Sequence, residues 1–131
     1  MHSTNTPSKP TLSHQEAIRL PFQEVAERLR GLLGNRLVAY IGGVKETRAV
    51  RQWADGERAP SEAVQQRLRH ALMAASMISE RDTASIVQSW FQGANPKLEF
   101  RAPARVLRDA DDQQQAFSDV LAAAHAFIVS A

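Results

Sequence analysis

Apolar residues recur along this chain at intervals of three and four, broken by glycine or proline, and that spacing predicts helices. Phe22, Val25, Ala26, Leu29, Leu32 and Leu33 share one helical face, with Pro21 at its start and Gly34 at its stop. Leu37, Val38 and Ile41 mark a second, shorter helix, with Asn35 as its expected N-cap and Gly42-Gly43 at its end. Glycine suits that end because it accepts the left-handed conformation of a helix C-terminus. A third helix is expected to be capped by Thr47; Val50 and Trp53 face inward and Gly56 ends it. Pro60 and Ser61 open a long helix whose stripe is Val64, Leu68, Ala71, Leu72, Ala75 and Ile78. Asp82 is the expected cap of a helix that buries Ile86, Val87, Trp90 and Phe91 and stops at Gly93. ANPKLEFRAP reads as a loop, since residues before proline avoid the α region. Pro103 starts a short helix to Asp109. A final helix runs from about Asp112 to Val129, with Phe117, Val120, Leu121, Ala124, Phe127 and Ile128 on one side. Asp111 and Asp112 at its start suit the helix dipole. The one strand candidate, RLVAYIGG, is bracketed by Asn35 and Gly42 and reads as helix, so the expected fold class is all-α.

Composition narrows the picture. The chain has 131 residues, 44% of them hydrophobic, enough for a core. It has no cysteine, which removes disulfides and thiol catalysis. No stretch has the apolar length of a membrane span. The opening MHSTNTPSKPTLSHQE has no hydrophobic centre and is not a signal peptide. It reads as part of a polar, disordered leader over residues 1–20, and a cytoplasmic location is expected. The net charge of +2 says little, but its distribution says more. Residues 28–69 hold nine Lys/Arg against four acids, whereas residues 70–131 hold five against seven. Two faces with different partners are expected from that split.

Within the basic half lies GGVKETRAVRQWADG, Gly42 to Gly56. A short helix, a glycine turn and a second short helix with a Val/Trp inner face and a basic outer face fit a B-DNA major groove. Lys45 and Thr47 would reach phosphates or bases, and Arg48, Arg51 and Gln52 would face base edges. An ordinary amphipathic helix with a solvated arginine face carries the same pattern, and amphipathicity does not separate the two.

Other features point away from catalysis. The four histidines show no metal-binding spacing, no phosphate loop is present, and no nucleophile–base constellation is visible, so neither enzyme, metal nor cofactor is expected. Trp53 and Trp90 are expected in the core, and His125 half-buried beside the last helix's stripe. Asn95 is expected to satisfy loop backbone groups, with Pro96 fixing the turn. Arg101, Arg105 and Arg108 would share one face if the short helix reached back to Arg101. They are then either a solvated face or a site for an acidic partner. Phe127, Ile128 and Val129 are three consecutive apolar residues that one helical face does not bury equally. The surplus suits either a partner's cleft or the chain's own long helix.

Two segments together resemble a known family. LVAYIGGVKETRAVRQWADGERAP is similar to an Xre-type helix-turn-helix, and VQSWFQGANPKLEFRAPARVLRD, followed by an amphipathic helix, is similar to the toxin-binding domain that accompanies it in the Xre/MbcA/ParS antitoxins. The resemblance spans about Val25 to Ile128, and Asn-Pro-x-Leu is its more specific part. It implies a helix-turn-helix-containing N-terminal bundle (residues 21–59), a long connecting helix (60–80) and a C-terminal helical toxin-binding domain (81–131). It implies an antitoxin that covers the active-site entrance of an NAD-consuming RES-domain toxin and represses its own operon. A homo-oligomer, or a hetero-oligomer with the toxin, goes with it. Operator DNA would meet Lys45, Thr47, Arg48, Arg51 and Gln52. The toxin would meet Lys97, Leu98, Phe100, Arg101, Arg105, Phe127, Ile128 and Val129. The chain departs from the family in two places. Its turn before Val50 is one residue longer, and Glu99-Phe100-Arg101 stands where many members carry two glycines after Asn-Pro-x-Leu. Phe100 is therefore either buried locally or exposed for a partner. The alternatives are a stand-alone DNA-binding regulator with a helical dimerisation domain and a helical adaptor that binds no nucleic acid.

Overall fold

The apolar stripes of successive helices close on one another. In the computed structural model, which describes residues 14–130, the regular structure is eight α-helices and one 3-10 turn, and the fold is all-α. In order these are α1 (His14–Arg19), α2 (Phe22–Leu33), α3 (Asn35–Gly42), α4 (Thr47–Ala54), α5 (Glu62–Ser79), α6 (Ala84–Gln92), the 3-10 turn (Pro96–Leu98), α7 (Pro103–Asp109) and α8 (Gln113–Ser130). Among the described residues there is no strand, only an isolated antiparallel bridge between Asn95 and Arg101. None of these helices is long and apolar enough to cross a membrane.

Two helices organise the rest. α2 packs against α3, α4, α5 and α6, and α5 packs against α1, α2, α3, α6, α7 and α8. The stripe of α2 (Val25, Ala26, Leu29, Leu33) and that of α5 (Leu68, Ala71, Leu72, Ala75, Ile78) lie in one continuous core with Val38, Val50, Val87, Phe91, Leu107 and Val120. Full burial of each large aliphatic or aromatic side chain contributes about 1.5–3 kcal/mol. Opposite the main stripe of α5, His70 is buried and its ring stacks on Phe117 of α8, centroids 4.0 Å apart. The Gln66 amide nitrogen lies 3.2 Å from its Nε2.

The turn between α3 and α4 is set by close contact. Gly43 takes φ 76°, and its amide donates to the carbonyls of Ala39 and Tyr40. A Cβ on Gly42 would lie 3.1 Å from Cη2 of Trp53. The absence of one at Gly42 lets the indole seat directly on the end of α3. Phe22 meets the same indole edge-on, centroids 6.0 Å apart.

Several helix starts differ from the sequence expectation by one residue. Asn35 is the first residue of α3 rather than its cap, and its Oδ1 accepts from Arg30 Nε at 3.0 Å. Thr47 is the first residue of α4, preceded by Glu46, and no side chain caps that end. Thr83, not Asp82, caps α6, its hydroxyl accepting from the Ile86 amide at 3.4 Å. Pro21 stands just before α2, its carbonyl accepting from Glu24 and Val25. Ser61 and Asp112 do act as caps, for α5 and α8. Ile86 is 40% exposed because Val87 takes the inward position. His125 is exposed rather than half-buried, since Ala123 and Ala124 hold the inner face there.

The disordered leader expected over residues 1–20 does not hold from residue 14 onward. Residues 1–13 lie outside the described residues, but α1 belongs to the folded body: Ala17 is buried, and Arg69 Nη1 donates to the carbonyls of Ala17 and Leu20, each at 2.7 Å. Burial lowers the Arg69 guanidinium pKa from its ordinary value, with Glu62 opposing the shift. The last carbonyls of α1 are met from α5, a contact invisible to local pattern.

The Gly42–Trp53 contact makes a specific demand. Gly42→Ala is expected to destabilise the fold by about 1–3 kcal/mol through overpacking, seen as a lower urea midpoint at unchanged slope. Gly31→Ala, whose Cβ would meet nothing within 4 Å in mid-helix, should instead stabilise by up to about 1 kcal/mol.

Candidate interaction surfaces

The first surface is the outer face of α3, α4 and their connection. Val50 and Trp53 are buried, which leaves Arg48 and Arg51 pointing outward. Lys45 and Thr47 are exposed beside them, and Gln52 is half-buried. On α2 the arginines are neutralised by neighbours: Arg28 pairs with Glu24 at 2.7 Å and Arg30 with Glu27 at 3.5 Å. Among the described residues, Arg36, Lys45, Arg48 and Arg51 have no ion pair of this kind. Their charge is therefore not neutralised within the chain by an ion pair, although the exposed Glu46 lies among them.

The second surface is the turn from Asn95 to Arg101. Asn95 organises it. Its Oδ1 accepts from the Lys97 amide at 2.9 Å, and its carbonyl accepts from Leu98 at 2.9 Å and Phe100 at 2.8 Å. Its own amide donates to the Arg101 carbonyl at 3.2 Å. Arg101 closes the turn by donating from both its amide and its Nε to the Leu98 carbonyl. Inside this net Leu98 is only 3% exposed, whereas Phe100 is 71% exposed. Glu99 and Phe100 both lie in the left-handed region, at φ 57° and 63°. That region disfavours side chains with a Cβ, and a bulky aromatic there is unusual. Each such residue costs about 1–3 kcal/mol and persists only where its surroundings fix it.

A groove of about 560 Å³ adjoins the turn, lined by Trp90, Asn95, Pro96 and Lys97 on one side and Phe127 and Val129 on the other. Phe127 and Ile128 are half-buried against the core, while Val129 is 66% exposed. The three consecutive apolar residues at the end of α8 are thus unequally buried. The Trp90 indole N–H is buried with no acceptor among the described protein atoms.

The expected partner-facing residues accordingly separate. Lys97, Phe127 and Val129 come together in one groove, with Ile128 behind them and Phe100 on the neighbouring turn. Leu98 faces the core and so positions the turn instead of presenting a surface. Arg101 precedes α7 and does not share a helical face with Arg105 and Arg108, because Pro103 begins that helix. Arg105 points elsewhere, into a shallow pocket with Arg36, Tyr40 and Phe91, and pairs with Asp109 at 3.5 Å. That exposed pair contributes little. Sequence reasoning missed Tyr40, whose ring lies 4.5 Å beneath the Arg108 guanidinium. It also missed the left-handed pair, although the glycines expected by resemblance at those positions were its signal. Among the described residues no group of three or more His, Cys, Asp or Glu is placed to hold a metal.

No family model matches the chain, and no curated protein or solved structure matches it.

The strain of the turn is measurable. Glu99→Gly and Phe100→Gly are each expected to raise stability by about 0.5–1 kcal/mol, the relief of the left-handed penalty less the added freedom of glycine in the unfolded chain. Thermal melts of the two variants check this; a fall in melting temperature for both would contradict the strain argument.

Proposed function

We propose that this protein is the antitoxin of a type II toxin–antitoxin module. It neutralises a RES-domain, NAD-consuming toxin by covering the entrance to its active site, and it represses its own operon. The observation that carries the proposal is Phe100, a large aromatic held outward on a strained turn directly after Asn95-Pro96-Lys97-Leu98. Exposing an aromatic side chain and holding it left-handed are both unfavourable to the isolated molecule. Aromatic side chains in rigid settings are the usual centres of protein–protein binding energy. Lys97 and the exposed end of α8 supply the surrounding contacts.

The mechanism is occlusion rather than catalysis. Phe100 enters the toxin's cleft as an anchor whose backbone is already ordered, so little entropy is lost on binding. Val129 and Phe127 exclude water around it. DNA binding is the work of the opposite half: α4 enters the major groove, Arg48 and Arg51 face the base edges, and Lys45 and Thr47 meet the backbone. The unpaired state of these cations supports that part. A stand-alone DNA-binding regulator would share this half and leave Phe100 without a role.

Co-expression with a RES-domain toxin encoded beside the gene checks the assignment. Wild type should restore growth. Phe100→Gly should fail to do so despite equal or higher stability, with at least tenfold weaker complex formation (~1.4 kcal/mol or more). Growth arrest persisting with soluble wild type would refute the antitoxin role. If instead repression of its promoter occurred with no toxin partner, the regulator reading would replace it. Arg48→Ala/Arg51→Ala should weaken promoter binding while leaving neutralisation intact.

A further inference from the structure

Arg108 belongs by sequence to the half proposed to bind protein, yet it sits against the half proposed to bind DNA. Its guanidinium lies 4.5 Å over the ring of Tyr40, one helical turn or less from the end of α3. A groove of about 640 Å³ opens there, lined by Arg36 and Tyr40 of α3, by Val44, Lys45 and Glu46 of the following turn, by Thr47 at the start of α4, and by Arg108 of α7. Three cations, from α3, from the α3–α4 turn and from α7, therefore line one groove, with Glu46 the carboxylate among its lining residues. Arg36 and Lys45 have no ion pair among the described residues, and Arg108 reaches only its neighbour Asp109, at 3.9 Å.

We propose that the groove lined by Arg36, Lys45 and Arg108 seats a phosphate of the duplex backbone when α4 lies in the major groove, so that α7 takes part in DNA binding. This rests on the DNA-binding part of the function proposed above. The contact with the Tyr40 ring holds the guanidinium at the groove, where its terminal N–H groups can make the two-point contact that arginine makes with phosphate. Lys45 adds an adaptable point charge on the other side. Glu46 opposes these charges and keeps the site from collecting anions indiscriminately. The groove is continuous with the exposed Lys45–Thr47 segment, so a backbone phosphate beside α4 needs no rearrangement to reach it.

The contact predicts a thermodynamic signature. Each cation that neutralises a phosphate releases counterions, and removing one should lower the slope of log K against log salt by about 0.9. The experiment is fluorescence anisotropy of a labelled mixed-sequence duplex of about 30 base pairs over a series of salt concentrations. Full-length wild type, Arg108→Gln, Arg108→Lys, Arg81→Gln and Arg48→Ala/Arg51→Ala would be compared. Arg81 is the control, a cation just beyond the C-terminal end of α5 whose Nη1 donates to the Ile128 carbonyl. The expected result is a loss of affinity of about 3- to 10-fold for Arg108→Gln with a slope smaller by about one. Arg108→Lys should keep the slope, and Arg81→Gln should match wild type. Circular dichroism of each variant shows that the fold is intact. If Arg108→Gln keeps both affinity and slope while Arg48→Ala/Arg51→Ala loses them, the phosphate seat is wrong and DNA binding through α4 stands. If wild type shows no salt-dependent binding to the duplex, both fall together.

Discussion

Neither half of this chain can bury α2 and α5 alone. Each helix has a wide apolar surface, and each is covered by elements from both ends of the sequence. α4 lies on one side of α2 and α6 on another, while α8 closes the side of α5 that carries His70. Everything else about the molecule depends on this constraint. The outer face of α4 and the turn at Phe100 are far apart in sequence, but they are borne on one rigid body. Neither surface has to be ordered by its partner, because the core has already met that cost.

The two surfaces are built by different physics. On α4 the interior dictates the exterior. Trp53 seats on Gly42, which fixes the crossing of α3 and α4, and the arginines emerge wherever the buried face leaves them. At Asn95–Arg101 the side chain of one residue dictates the backbone. Asn95 offers an amide, a carbonyl and an amide oxygen to four bonds, and the chain turns tightly enough to push Glu99 and Phe100 into a left-handed conformation. The first surface depends on charge left unneutralised, and the second on an aromatic left uncovered. Arg108 links them physically, since α7 follows the turn directly and places its guanidinium on Tyr40 of α3. A protein seated on the turn and a duplex seated on α4 would therefore press on the two ends of the same short helix.

Much of this was legible in the sequence because helices announce themselves through spacing and breakers. Gly34, Gly43, Gly56 and Pro103 each mark a boundary that the fold uses, and the Val50/Trp53 face is a local consequence of periodicity. The errors also have physical causes. Asn35, Thr47 and Asp82 each sit one residue from the cap position: Asp82 and Thr83 are adjacent residues of similar capping chemistry, whereas α3 and α4 begin after Gly34 and Glu46 with no side-chain cap at all. Ile86 and Val87 are neighbours of equal hydrophobicity, and only the position of α2 selects the second. α1 looked like leader because what holds it comes from Arg69, some fifty positions later. The grouping of Arg36, Tyr40 and Arg108 was out of reach for the same reason: it exists only once α3 and α7 are packed together.

The left-handed turn also leaves a trace in how this protein can drift. At most positions of a fold, stability and side-chain identity pull in the same direction, so a residue persists for reasons that no one position can reveal. At Glu99 and Phe100 they pull apart, since glycine would relax the backbone at either place. A chain with no need of the protrusion would lose no backbone stability by carrying glycine there. If the protrusion meets a partner, the aromatic at position 100 is held there by that contact against the preference of its own backbone.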